Sequence, residues 1–363
     1  MADGFCVALG LMSGTSMDGI DAAVLRSDGN RILDFGPALT VPYDADFRER
    51  LRGVIGENPV GDVDAVAAEL TLRHAAVVGE LVEKCGDGYP RPELIGFHGH
   101  TVFHRPADAI TRQIGDGGLL AAQTGIPVVA DFRSMDVAAG GEGAPLAPLF
   151  HAALAADLEK PIAVLNVGGV ANVTWIGEDG AVLAFDTGPG NAMIDDWVRA
   201  TTGRPMDQSG HLARSGWVNT DVLQQLMDHD YFGRPPPKSL DRNDFSGQAV
   251  ADLSPADGAA TLSAFSATAV VKAAEAFPAP ARRWLVCGGG RHNETLMAMF
   301  EEGLRAPVAP VEAVGWDGDF LEAQAFAFLA VRSARGLALS LPTTTGVRSP
   351  QTGGTLFQPT GSV

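Results

Sequence analysis

The chain has 363 residues, too many for one ordinary hydrophobic core and enough for two domains. It is 46% hydrophobic and only 19% charged, which excludes an intrinsically disordered chain. With 44 acidic residues against 26 basic ones, its formal charge of -18 repels nucleic acid and anionic membrane surfaces, so neither is expected as a partner. An anionic ligand must then be met by backbone N–H groups, local positive charge or a metal ion. Three scattered cysteines, Cys6, Cys85 and Cys287, form no CxxC pair, which fits a reduced, cytoplasmic setting without a disulfide framework or zinc site. The apolar run over 5–12 lacks a preceding basic stretch and is too short for a signal or a span. No later segment approaches about twenty uninterrupted apolar residues.

In chain order, the first element is a short buried strand from Cys6, running into Gly10-Leu-Met-Ser13-Gly14-Thr15-Ser16-Met17-Asp18-Gly19 and then a second strand over 20–25. Stretches over 31–35 and 38–43 read as further strand, and 44–55 as a helix. A strand-turn-strand rich in small and hydroxylated residues can aim backbone N–H groups and hydroxyls at a phosphate chain. The loop is not a Walker motif, since no Gly-Lys-Ser/Thr follows, nor a dinucleotide fingerprint, since a strand follows rather than a helix. Two readings of Asp18 and Asp21 stand: magnesium held through water, or turn capping. A helix is predicted over 62–85, with Val63, Val66, Leu70, Val77, Leu81 and Cys85 at roughly helical spacing.

Phe97-His98-Gly99-His100-Thr-Val-Phe-His104 invites a metal reading, but its spacing suits neither helical nor strand-facing ligands. Substrate contact or loop packing is the better expectation. Asp131-Phe-Arg133-Ser-Met-Asp136 leads from a strand through Gly140-Gly141-Glu142-Gly143 into a helix. Arg133 is there either to clamp a carboxylate or phosphate, or to pair with Asp131 or Asp136.

About 155 residues after the first strand the pattern returns: a strand from Pro161, the turn Asn166-Val-Gly168-Gly169, strands over 170–176 and 181–185, and a helix over 191–202. Such a repeat suggests two similar α/β domains with a cleft between them, where small-molecule sites commonly form. Gly168 and Gly169 stand where the first loop stands in the first half. Phe185-Asp186-Thr-Gly188-Pro-Gly190-Asn191 puts a carboxylate at a strand end before a helix, as a general base or as a helix cap. Helices are expected over 257–277, 294–304 and 320–336. Between the first two, a buried strand over 284–287 enters Gly288-Gly289-Gly290, bare backbone suited to an adenine or ribose or to a flexible junction. Glu322 is a single carboxylate on an apolar helix, and such a group is usually paired or functional because its burial is costly.

These glycine turns resemble the actin, hexokinase and Hsp70 superfamily. More narrowly, 10–21, Asp131-Phe-Arg133, Asn166-Val-Gly-Gly, Phe185-Asp-Thr-Gly-Pro-Gly-Asn191, Pro237-Lys-Ser-Leu-Asp-Arg242 and Glu322-Ala-Gln-Ala-Phe326 are similar to the anhydro-N-acetylmuramic acid kinase family. The resemblance covers 9–346 and implies an α/β fold of duplicated ribonuclease-H-like (actin-like ATPase) domains facing a central cleft. The expected division is 1–130 with about 310–363 in the first domain, and 131–309 in the second. The implied enzyme adds water to the 1,6-anhydro ring and phosphorylates the 6-hydroxyl with ATP, in peptidoglycan recycling. Asp186 would then be the base. Ser13, Gly14, Thr15, Ser16, Met17, Asp18 and Gly19 would surround the ATP phosphates with Mg2+, Asp18 through water. Gly168 and Gly169 would face phosphate, and Gly288, Gly289 and Gly290 the adenosine. Arg133, Glu322 and His100 would meet the sugar, and a homodimer is expected. Two positions depart from the family: Glu142 and His100 both stand where it commonly has Gln. A kinase for another amino sugar and a non-kinase actin-like ATPase are the alternatives.

Overall fold

Two sheets of the same strand order organise the chain, of which the computed structural model describes residues 4–86, 88–240 and 244–359. One unit runs to Ala156 and resumes at Phe320; the other is Asp157–Asp319.

In the first unit β1 (Cys6–Met12), buried along its whole length, pairs antiparallel with β2 (Gly19–Ser27), which pairs antiparallel with β3 (Ile32–Pro42). On its other edge β1 runs parallel to β4 (Leu94–Phe97). A hairpin of β5 (His100–Arg105) and β6 (Ile110–Ile114) follows, and then β7 (Val128–Ala130), parallel to β4. A late strand, Thr355–Phe357, closes the sheet antiparallel to β7. The stretches read separately as 31–35 and 38–43 are thus one strand. Ala23 pairs Ala38 and Leu25 pairs Phe35, so Gly36 and Pro37 together oppose Val24 in a bulge that absorbs the proline without ending the strand.

The second unit repeats the order. β8 (Ile162–Val167), β9 (Val170–Ile176) and β10 (Val182–Pro189) are antiparallel neighbours, and β11 (Arg283–Cys287) and β12 (Val308–Pro310) continue parallel from β8. Both units therefore carry the strand order 3-2-1-4-5, with three antiparallel strands followed by two parallel ones. This is the duplicated ribonuclease-H-like core.

Helix ends follow local capping. Asp62 caps Val63–Cys85 by accepting from Ala65 N, and Ser254 caps Pro255–Ala274 by accepting from Asp257 N. Helix Leu321–Ala334 packs on the first sheet at an unusually close point. Gly10 and Gly96 are register partners on β1 and β4; a Cβ at Gly10 would overlap the Ala323 carbonyl, and one at Gly96 the Phe326 carbonyl. Backbone meets backbone there, which only glycine permits.

Against the edges read from the sequence, 131–156 lies in the first unit. Asp136 ties it there: its carboxylate accepts from Gly143 N (2.6 Å), from the Thr345 hydroxyl (2.6 Å) and from the Ser340 hydroxyl. Residues up to Asp319 stay in the second unit, where Arg291 pairs with Glu312 (2.8 Å) and Asp319 (2.6 Å). Among the described residues no helix is long and apolar enough to cross a membrane.

Candidate active site

The first glycine loop leaves β1 at Met12 and enters β2 at Gly19. Met17 N donates to Gly14 O (3.0 Å), closing a turn in which Met17 takes φ +57°. Thr15, Ser16 and the Asp18 side chain are exposed, and Gly14 is open, with only Ser16 Oγ near a notional Cβ. Ser13 differs: it is 1% exposed, its hydroxyl accepts from Tyr43 OH (2.8 Å), and it lies 3.0 Å from His100 Nδ1. Gly19 is bare for the chain's own sake, since a Cβ would overlap Val41 O. An exposed carboxylate at Asp18, beside open backbone, suits a hydrated magnesium ion, which keeps several of its waters. The Asp21 carboxylate instead accepts from the Thr40 hydroxyl at 2.6 Å.

The substrate-side candidates separate. Arg133, partly buried after β7, donates through Nε to His98 Nε2 (3.1 Å) and through NH1 to Gly143 O (2.6 Å). His98 Nδ1 faces Gly99 O (3.0 Å), so Nδ1 carries the proton and Nε2 is the acceptor Arg133 needs. The pairing with Asp136 considered from sequence gives way, because that carboxylate is taken up by Gly143, Ser340 and Thr345. Glu322 is exposed in the first turn of its helix, where a carboxylate suits the dipole; it is not a buried acid. His100 is 0% exposed, and its ring reaches Ser13 rather than an open surface.

In the second unit Asp186 is 8% exposed near the end of β10, where a register shift between Asp186 and Gly188 bends the strand. Hydrogen bonds with the 231–240 segment frame it. Asp186 N donates to Lys238 O (3.0 Å), Tyr231 OH to Asp186 O (2.5 Å), Leu240 N to the Asp186 carboxylate (2.9 Å), and Lys238 Nζ to Tyr231 O (2.9 Å). Burial, with the Arg234 charge adding, brings the Lys238 ammonium down to about 8. Asp241 and Arg242, which end that motif, lie outside the described residues.

The Gly168–Gly169 turn is stitched to the helix Ala192–Thr202: Asn191 N donates to Gly168 O (2.7 Å) and Gly190 N to Gly169 O (2.9 Å). In the third glycine run only Gly289 offers exposed backbone. A Cβ at Gly288 would overlap Asn166 Oδ1 and one at Gly290 would overlap Val167 Cγ1, so these two are bare to pack on β8.

The family described as anhydro-N-acetylmuramic acid kinase matches residues 6–359, both units together. The chain belongs to this family. Relatives bearing that name are 57% identical in Paramagnetospirillum magneticum, over 96% of this chain and 98% of the relative, and 57% identical in Rhodospirillum rubrum, over 98% and 95%. One from Acidiphilium cryptum is 53% identical over 97% of this chain and 98% of its own length. Family membership makes the chain a kinase, and its nucleotide ATP.

Sequence reasoning did not single out Tyr43, Tyr231 or Lys238, and took His98 only as part of a His-rich run. Lys238 falls within a family motif, and that signal was available. The two tyrosines carry none, because their partners lie 30 and 45 residues away.

Four buried histidines give the first unit an acid sensitivity. Burial pushes His74, His100 and His151 down to about 4, and burial with the Arg133 charge holds His98 well below the usual imidazole range. Between the unfolded value of about 6.5 and these folded values, the unfolded chain binds protons that the folded one refuses. Their stabilisation is complete above that unfolded value and is lost as pH falls towards 4, each group contributing up to about 1.4 kcal/mol per pH unit. Urea midpoints are expected to fall steeply from about pH 6.5 to pH 4.5; a flat profile over that range contradicts the assignment.

Proposed function

We propose that the chain converts 1,6-anhydro-N-acetylmuramic acid, water and ATP to N-acetylmuramic acid 6-phosphate and ADP, as a step in peptidoglycan recycling. The observation that carries this reading is the match to one kinase family along 6–359. The framed carboxylate of Asp186 agrees with it. Asp186 accepts a proton from water as the water oxygen bonds to the anomeric carbon. The bond from that carbon to the bridging oxygen breaks, and the freed 6-oxygen takes the γ-phosphoryl group.

Phosphoryl transfer asks little covalent chemistry of a protein and much positioning. Open backbone at Gly14, the hydroxyls of Thr15 and Ser16 and the Asp18 carboxylate are assigned to the phosphates. Gly168, Gly169 and Gly289 are assigned to the nucleotide. Magnesium, held at Asp18 through water, would neutralise phosphate charge. Arg133 and Glu322 orient the sugar, Arg133 with its guanidinium plane fixed by His98 and Gly143. We further read the protein as cytoplasmic and as a homodimer, the latter tested by light scattering on the purified chain.

A coupled ADP assay decides the reading. ADP release is expected with the anhydro sugar, not with N-acetylmuramic acid or N-acetylglucosamine, and is expected to stop on EDTA and return with added magnesium. ADP release that ignores the sugar would instead mark a non-kinase ATPase, and preference for another amino sugar would move the substrate.

A further inference from the structure

We infer that Tyr43 and His100 form a buried clasp that sets the shape of the loop 13–18 before nucleotide binds, making both positioning residues for the phosphates. The inference rests on the reading of that loop as the ATP phosphate site.

Both ends of the loop are tied to one residue. The Tyr43 hydroxyl donates to Ser13 Oγ at 2.8 Å, and the Tyr43 backbone N–H donates to Asp18 O at 2.9 Å. The exposed stretch of Thr15 and Ser16 therefore spans two fixed posts. Tyr43 is itself held: it is 5% exposed, and its ring packs on Phe47 with centroids 4.9 Å apart. Burial raises its phenol pKa, so the hydroxyl stays a donor.

In the clasp as inferred, His100 Nδ1 is the accepting nitrogen. Ser13 Oγ accepts from Tyr43 and, in this arrangement, donates its own hydrogen bond to His100 Nδ1, 3.0 Å away. The imidazole proton then sits on Nε2, which meets no partner among the described residues. Burial pushes His100 down to about 4, so at neutral pH the ring is uncharged and one of its nitrogens can accept. His100 is the first residue of β5 and pairs with Ile114, so the far end of the clasp is anchored in the β5–β6 hairpin. Two segments far apart in sequence, those of Tyr43 and His100, thus converge on the hydroxyl of Ser13. A loop ordered in advance spares the bound state the cost of ordering it, and the gain appears as nucleotide affinity.

The test measures KM for ATP, KM for the sugar, kcat and melting temperature on the full chain. Tyr43→Phe keeps the ring and removes the hydroxyl. It is expected to raise KM for ATP about ten-fold, while kcat and the sugar KM move less than about three-fold. His100→Leu should do the same. His100→Gln, whose amide oxygen can accept from Ser13, should restore KM for ATP to within about three-fold of the parent. Tyr43→Phe added to Ser13→Ala should cost nothing beyond Ser13→Ala alone, because the two share one interaction.

Unchanged KM for ATP in Tyr43→Phe and His100→Leu, or an equal loss in all three kinetic parameters, overturns the clasp. So does failure of His100→Gln to restore affinity. Gly14→Asp, which places a carboxylate at an open position, separates this from the reading beneath it and should raise KM for ATP about a hundred-fold. If Gly14→Asp leaves that KM unchanged, the loop is not the phosphate site and the clasp falls with it. If Gly14→Asp acts and Tyr43→Phe does not, the clasp alone falls.

Discussion

Asp186→Asn is expected to lower kcat by about 10³-fold or more while the Kd for ATP stays within about two-fold. The expectation follows from how the carboxylate is held. Its backbone is fixed on both sides, by Asp186 N to Lys238 O and by Tyr231 OH to Asp186 O, so the side chain cannot drift when its charge is removed. The amide oxygen of Asn can still accept from Leu240 N, as the carboxylate does at 2.9 Å. What is lost is the ability to take a proton from water, and a general base contributes about 10²- to 10⁴-fold to rate. Activity by ADP release and ATP binding by calorimetry, on the same preparation, measure the two halves of the expectation. A fall in kcat below about ten-fold, with ATP binding intact, would remove Asp186 from the base role.

Gly96→Val should destabilise the first unit by about 3 kcal/mol or more. A side chain there meets the Phe326 carbonyl, a helix backbone that cannot rotate out of the way, and the neighbouring Gly10 leaves no room for the helix to tilt, since Ala323 and Ala327 already press on it. The helix must lift from β1 and β4, exposing the faces of Ala323, Phe326 and Ala327 that the contact buries. Gly79→Ala gives the contrast: it lies exposed within helix Val63–Cys85 with no atom within 4 Å of a notional Cβ, so alanine should stabilise by about 0.5–1 kcal/mol. Urea unfolding monitored by circular dichroism measures both. Equal stability of Gly96→Val and the parent would mean that the helix does not sit where Gly10 and Gly96 put it. Because Glu322, proposed above to orient the sugar, lies in the first turn of that helix, a folded but shifted Gly96→Val protein should also bind sugar less tightly.

β1, β8 and β11 were legible because their buried runs are near-continuous and lead into glycine turns, and the long helices because Asp62, Ser254 and Asn293 mark their starts by capping. The short strands over 94–97, 100–105, 110–114, 308–310 and 355–357 were not read. The bulge at Val24 was not legible, since Gly36-Pro37 reads as a break until Ala23 and Leu25 are seen to pair across it. The glycines divide in the same way. From sequence, Gly288, Gly289 and Gly290 are one flat surface; in the fold two of them are consumed by packing on Asn166 and Val167. Pairing of Arg133 with Asp131 or Asp136 was one of two sequence readings; in the fold Asp136 has other partners, because the C-terminal segment carrying Ser340 and Thr345 returns to it from some two hundred residues away.

By itself, then, the sequence determined the two repeated strand patterns, the glycine loop 13–19 and the family, and it singled out Asp186. Each of these is written in neighbouring residues, where local sterics and capping act. Only the tertiary structure decided which polar groups are already spoken for. Ser13 is claimed by Tyr43 and His100, Arg133 by His98 and Gly143, and Asp186 by a frame of residues 231–240. Hydrogen-bond partners of buried groups are chosen by which segments packing brings together, and most buried donors and acceptors find one wherever in the chain it lies.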